Sequence, residues 1–350
     1  MWTAHPLWEF ARAATRQPRS GVRQLAVRTW QIAPGEEAVT PKSYFLPGQL
    51  ERVTGWTFAD EHPRRQMLGG YKTEHAPTIA YLVRDAVLAD GRLFRGTACE
   101  HLHPRTSIAP IVRIEDELAR AAVYSTPAGN KYFGNWLMDD CNTYVLACDD
   151  SLPVSTAVPL WAHKLQYEVC LDMRPVRQSR AFIREAVLFD DFGQNSNKRE
   201  RVRRMRERLL SHVEAKPHPG VFILRGSSGE RRVLLNELEI AEALRRSRGI
   251  KVIDPLGMSV PDILAVCAGA ETVVGVEGSG LIHGILLLPK GGRLLTLQPP
   301  NRFVGLYKHL TDRDDKYFGF VVGSPVGQDF TIDLDEVERT MDLFPPMMPA

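Results

Sequence analysis

Between residues 221 and 300 short apolar runs alternate with helix-patterned stretches, and this alternation constrains the fold more than any other feature. Residues 221–224, 250–253, 272–276 and 293–297 are brief and rich in Val, Ile and Leu, as buried strands are. Residues 230–248 put Leu234, Leu238, Ala241 and Leu244 on one helical face, with Gly249 as the stop. Ser259 can cap a helix reaching Ala268, with Asp262 in its first turn. Residues 280–288 read as a third helix, ended by Pro289. Strands and helices in this rhythm predict a parallel sheet covered on both faces. Ligands of such sheets bind beyond the carboxyl ends of the strands.

The chain upstream is less regular. Residues 34–110 are rich in Pro and Gly and predict short strands and loops. Residues 130–149 and 160–171 read as helices, and residues 186–189 as a buried strand. Residues 198–210 predict a surface helix whose apolar stripe is only Val202, Met205 and Leu209. Pro217 and Pro219 break the pattern after it. We therefore divide the chain into a basic arm (1–33), a first domain (34–215), a second domain (216–330) and a tail (331–350). The tail is expected to pack back on the first domain.

With 350 residues the chain can bury a sizeable core. Its 44 Lys and Arg balance 42 Asp and Glu, which argues against a dedicated nucleic-acid binder. No apolar run approaches the ~20 residues of a membrane span, and arginines interrupt the first thirty residues. Five cysteines without a CxxC spacing fit a reducing cytoplasm. The arm holds five Arg, one acid and three Trp. It reads either as a poorly ordered terminus or as a peripheral contact with an anionic membrane, which would be the inner face for a cytoplasmic protein.

Two loops lie at predicted strand ends. The first runs from Arg225 through Gly226, Ser227, Ser228 and Gly229 to Arg231 and Arg232. Arginines there can grip phosphate oxygens bidentately. The second, Glu277-Gly278-Ser279-Gly280, opens a helix and offers unobstructed amides. Together they suit a pyrophosphate, though tight turns and solvated arginines fit the same residues. Gly278, Gly280 and Gly284 also spell a loose dinucleotide fingerprint, but the following strand ends in Gln298-Pro299 and lacks the ribose-binding acid.

These residues resemble the C-terminal domain of glycosyltransferase family 61 over Val221 to Pro300. The matching positions are Arg225, Arg232, Asn236 and Glu237, then Gly249 and Asp254-Pro255, Ser259, the loop at 276–280, and Pro289 with the strand ending at Pro300. Upstream, residues 132–139 are similar to an aromatic-His-Trp stretch with a following acid, with Asn135 where His is common. Glu277 also stands where the family usually has His.

The resemblance implies an α/β, GT-B-like fold of two Rossmann-like domains with parallel sheets flanked by helices. It implies an inverting transfer of a sugar from a nucleotide-sugar to a glycan or polysaccharide acceptor, in capsule or exopolysaccharide synthesis, with no metal and no other cofactor. On this reading Arg225, Arg232, Asn236, Glu277, Gly278, Ser279, Gly280 and His283 bind the donor. Asp139 is the candidate base and Asp140 the reserve. The two departures also admit a catalytically inactive binding or scaffold protein. A dinucleotide oxidoreductase is disfavoured by the missing acid.

Other features have plainer readings. His101 and His103 lack a metal-binding set. Asp312, Asp314 and Asp315 read as a solvated turn, His283 as a core histidine, and the run from Arg199 to Arg208 as a solvated helix face.

Overall fold

A computed structural model describes residues 1–14, 20–57, 62–103, 108–157, 163–226 and 232–347. The chain forms two compact units, residues 1–36 with 75–201, and residues 37–74 with 202–350. The division thus differs from a single boundary near 215. The Pro- and Gly-rich segment 37–74 clusters with the C-terminal half.

The first unit opens with β1 (Trp2–Thr3) and α1 (His5–Ala14), followed by β2 (Arg28–Ala33). After residue 75 come β3 (Thr78–Ala89), β4 (Arg92–Arg95), β5 (Ala98–His101), β6 (Val112–Arg113), β7 (Asp116–Val123), β8 (Leu152–Thr156), β9 (Val176–Gln178) and β10 (Arg180–Asp190). The main sheet runs β9-β8-β7-β10-β3-β4-β5, and β2 also joins β3. Only β7 with β8, β8 with β9, and β7 with β10 are parallel. The long β3 is antiparallel to β10, β2 and β4. This mixed sheet corrects the expectation of parallel sheets in both domains. The residues turning between β3 and β4, Asp90 and Gly91, both have positive φ, so the chain reverses there instead of crossing over.

The basic N-terminal segment is part of this unit, not a separate arm. β1 pairs with β6, β2 with β3, and Arg23 forms an ion pair with Glu100. The arm's Arg16 and Arg19 lie outside the described residues.

The second unit holds β11 (Val221–Ile223), β12 (Lys251–Ile253), β13 (Thr272–Val276), β14 (Arg293–Gln298) and β15 (Tyr317–Val322). All are parallel, in the order β12-β11-β13-β14-β15. In order of appearance this is 2-1-3-4-5, a doubly wound sheet whose direction of growth reverses between β11 and β13. α4 spans Glu237–Arg248, later than the expected start at 230. Gly249 ends it in the left-handed conformation. The longer helices before it are α1, α2 (Cys141–Asp150) and α3 (Ser196–Leu210). α5 (Val260–Cys267) is capped by Ser259 as expected. The expected helix at 280–288 is shorter, one tight turn at Ser279–Leu281 and one α-turn at Ile282–Ile285. α6 (Leu306–Arg313) precedes β15, and α7 (Leu334–Asp342) closes the chain.

The core on one sheet face joins Phe222, Val274, Val276, Leu295 and Val321 to Ile240 and Leu244 of α4, Val337 of α7 and Phe344. The tail packs within the second unit, against β15, α4 and the segment holding Tyr44, Gln49 and Arg52, which the expected first domain (34–215) had included. Its apolar side chains complete the cover over this sheet. Among the described residues no helix is long and apolar enough to cross a membrane.

Candidate functional site

The loops after β11 and β13 flank the point where strand order reverses, where a doubly wound sheet leaves a crevice for a ligand. Arg225 lies just beyond β11. Its backbone N–H and that of Gly226 each donate to Glu237 at 2.8 Å. The first residue of α4 thereby fixes the turn that aims Arg225, and burial raises the Glu237 pKa. Gly226 turns with φ 55°, in the left-handed region that suits glycine. Ser227, Ser228, Gly229 and Arg231 lie outside the described residues.

Across the crevice, Arg232 Nη1 stands 2.8 Å from Glu277 Oε2, both side chains nearly buried. Glu277 thus faces an arginine. Arg225 Nη1 approaches the Glu277 carbonyl, at 3.5 Å. Burial and the neighbouring Arg232 charge lower the Arg225 pKa to about 10. Arg232 Nε is buried with no hydrogen-bond acceptor among the described residues. A buried guanidinium with an orphan donor calls for an oxygen-rich ligand.

The glycines have separate reasons. A Cβ on Gly278 would stand 2.1 Å from Arg225 Nη1, so the bare backbone makes room for the guanidinium. The Tyr307 hydroxyl donates to the Gly278 carbonyl at 2.7 Å and fixes the loop from α6. Nothing lies within 4 Å of a Cβ on Gly280, which faces open space. A Cβ on Gly284 would meet Val273 at 2.7 Å, so that glycine lets the helical turn close on β13.

The remaining predicted donor residues divide. Ser279 is half-buried in the loop. His283 is buried on the following turn. Asn236 uses both ends of its amide on the Ile332 backbone, donating at 2.8 Å and accepting at 3.2 Å. It sits beside the crevice as a clamp for α4. Gln298, at the end of β14, is also committed, bonding Thr296 and the Val304 backbone.

In the first unit a π-helical turn, Trp136–Asp140, leads into α2. Such turns are frequent at functional sites because they re-aim side chains. Asp139 points one carboxylate oxygen at Lys198 Nζ, 2.7 Å away, and accepts from Asn135 Nδ2 at 3.0 Å. It lines a cleft with Ser125, Thr126, Thr143 and Asp191. Asp140 turns inward. Thr126 Oγ1 donates to it at 2.7 Å, and burial raises its pKa to about 8. A Cβ on Gly129 would collide with this carboxyl at 2.1 Å.

Sequence reasoning missed the groups around Asp139. Lys198 is fully buried and also donates to the Asp191 carbonyl at 2.8 Å. Arg201 grips Asp191 with two hydrogen bonds of 2.7 and 2.8 Å. Thr78 and Thr143 complete the Asp191 carboxylate at 3.0 Å each. Arg201 corrects the solvated-face reading of the arginine run, since it is buried on Asp191. The signal available was the spacing of Lys198 and Arg201, three apart on one helix face.

Two acid readings change as well. Asp312 is no solvated turn. It sits in α6, where the buried Lys308 donates to both its oxygens at 2.8 and 2.7 Å. Lys316 pairs with Asp314. His101 meets Glu9 at 2.9 Å, and Arg92 binds the other oxygen of the same carboxylate at 2.9 Å. Glu9, Cys99 and His101 lie close enough to share a metal ion, but Arg92 already neutralises their only carboxylate.

Residues 133–295 match the family model described as Glycosyltransferase 61. Over this stretch, which includes Asp139, Arg225, Arg232 and Glu277, the chain is similar to that family. No curated protein matches the chain.

Proposed function

We propose that this chain transfers a sugar from a nucleotide-sugar to a glycan hydroxyl with inversion at the anomeric carbon, in capsule or exopolysaccharide synthesis. The observation that carries the donor side is the pair of largely buried arginines, Arg225 and Arg232, at the strand-order reversal of the second unit. In this reading they bind the diphosphate, with the Gly278–Gly280 backbone beside them. Glu277 fits there because it is paired with Arg232. As the anomeric bond breaks, negative charge grows on the leaving diphosphate. Fixed cations already in place stabilise that charge without reorganising, and no metal is needed for the purpose.

Asp139 is the proposed base. An acceptor hydroxyl gives it a proton while attacking the anomeric carbon, and Lys198 and Asn135 hold the carboxylate in one orientation. Asp140, enclosed by Thr126 and Gly129, supports the turn that presents Asp139.

Thermal unfolding with nucleoside diphosphates and nucleotide-sugars tests the donor site. A ligand at a hundred times its dissociation constant adds about 2.7 kcal/mol. We expect one nucleotide class to raise the midpoint by a few degrees, and Arg225→Ala to abolish the rise. A response to NAD alone overturns the transferase reading. Binding without turnover by any acceptor turns it into a binding protein of the same fold.

A further inference from the structure

Helix α1 is amphipathic in the wrong sense for a water-facing helix. Its one acid, Glu9, is buried against Arg92 and His101. Its outward face carries Leu7, Trp8 and Phe10, with Trp8 63% and Phe10 76% exposed, along with Ala11 and Ala14. A surface helix ordinarily shows solvent its charged residues.

The apolar surface extends beyond the helix. In the β1–β6 pair Thr3 and Val112 face inward, while Trp2 (70% exposed) and Arg113 face out opposite each other. The Leu7 N–H donates to the Pro110 carbonyl at 3.1 Å, which brings exposed Ile111 to the first turn of α1. Large exposed apolar patches of this kind mark interaction sites.

The charges around the patch select its occupant. Arg113 stands beside Trp2, and the Arg95 charge acts on His5. Arg95 is shared only loosely with Asp85, at 3.8 Å. Exposed Glu115, further along the chain, acts on Arg180. Two copies meeting through this face would bring arginines together, and like charges oppose such an interface. Anionic lipid headgroups complement the arginines, and Trp, Phe and Leu partition to the headgroup–acyl boundary.

We propose that α1 and Trp2 form a membrane-surface docking face that lies on a bilayer of anionic phospholipid. The aromatic side chains enter the interface and the arginines rest among the headgroups. The helix lies along the surface and does not cross it. This is independent of the glycosyl-transfer reading.

Co-sedimentation of the full chain with phosphatidylglycerol-containing vesicles, against pure phosphatidylcholine vesicles, tests the proposal. We expect binding to the anionic vesicles, weakened by added salt, with a blue shift of tryptophan emission. The double substitution Trp8→Glu, Phe10→Glu should weaken binding roughly tenfold or more with the thermal midpoint unchanged, because both side chains already face water. Absence of binding to anionic vesicles, or equal binding by the double variant, overturns it. A dimer in sedimentation equilibrium that the same variant dissolves also overturns it, with a second copy as the occupant.

Discussion

A methyl group on Gly278 would stand 2.1 Å from the Arg225 guanidinium, although the two residues are far apart in sequence. Gly278 also holds a φ of 159°, which side-chain-bearing residues rarely adopt, so Gly278→Ala both displaces Arg225 and strains the loop. We expect nucleotide-induced stabilisation to fall nearly as far as in Arg225→Ala, with the ligand-free midpoint lowered as well by the backbone strain. Unchanged nucleotide affinity would mean that the observed placement of Arg225 is irrelevant to the donor.

The Arg201–Asp191 pair lies in a buried, hydrogen-bonded network. Arg201→Met leaves the Asp191 charge buried without its cation, a change that costs about 3–5 kcal/mol. Arg203, two residues on, pairs with Glu207 in solvent. Arg203→Met should stay within about 0.5 kcal/mol of the parent. Urea unfolding of the two variants side by side measures the difference.

Asp140 gives stability a distinct pH dependence. Its pKa in the folded protein is raised from 3.8 to about 8, chiefly by burial. Between those values the folded state holds a proton that the unfolded chain has lost. Stability from this group is therefore full below about pH 4 and declines as pH rises toward 8. Asp140→Asn removes the titration. Its stability relative to the parent should climb across that window, by at most about 1.4 kcal/mol per pH unit. Parallel unfolding curves for the two proteins from acid to neutral pH would refute the assignment.

Asp139→Asn addresses the proposed base. We expect turnover to fall by about 10²–10⁴-fold with donor binding retained, the range typical of a lost general base. The substitution also leaves Lys198 without its carboxylate, so the thermal midpoint must be measured on the same preparation. Intact turnover would exclude Asp139 as the base.

Much of the second unit was legible because its strands are short, apolar and separated by helices with explicit stops. Ser259 and Gly249 behave as their local chemistry requires, since a cap or a left-handed turn depends on a few neighbouring residues. The start of α4 was misjudged because Leu234 stands four residues before Leu238, in line with the apolar face of the helix. Leu234 instead bridges to Phe330, and Asn236 is engaged by Ile332. Those partners lie almost a hundred residues away.

The sequence alone determined the parallel sheet, the two loops that end its strands, and the presence of Arg225, Arg232 and Glu277 on or beside them. These follow from periodicity and local stereochemistry. Tertiary structure decided which charges meet: Glu277 with Arg232, Asp139 with Lys198, Asp191 with Arg201, and Asp312 with Lys308. It also decided that Glu9 points inward while Trp8 and Phe10 face water. Whether a charged side chain is solvated or buried depends on what the rest of the chain brings against it, because burial of a charge requires a compensating partner. Lys308 and Asp312 share one helix at i,i+4, but in the other three pairs the partners lie on different elements, so spacing along the chain could not reveal them.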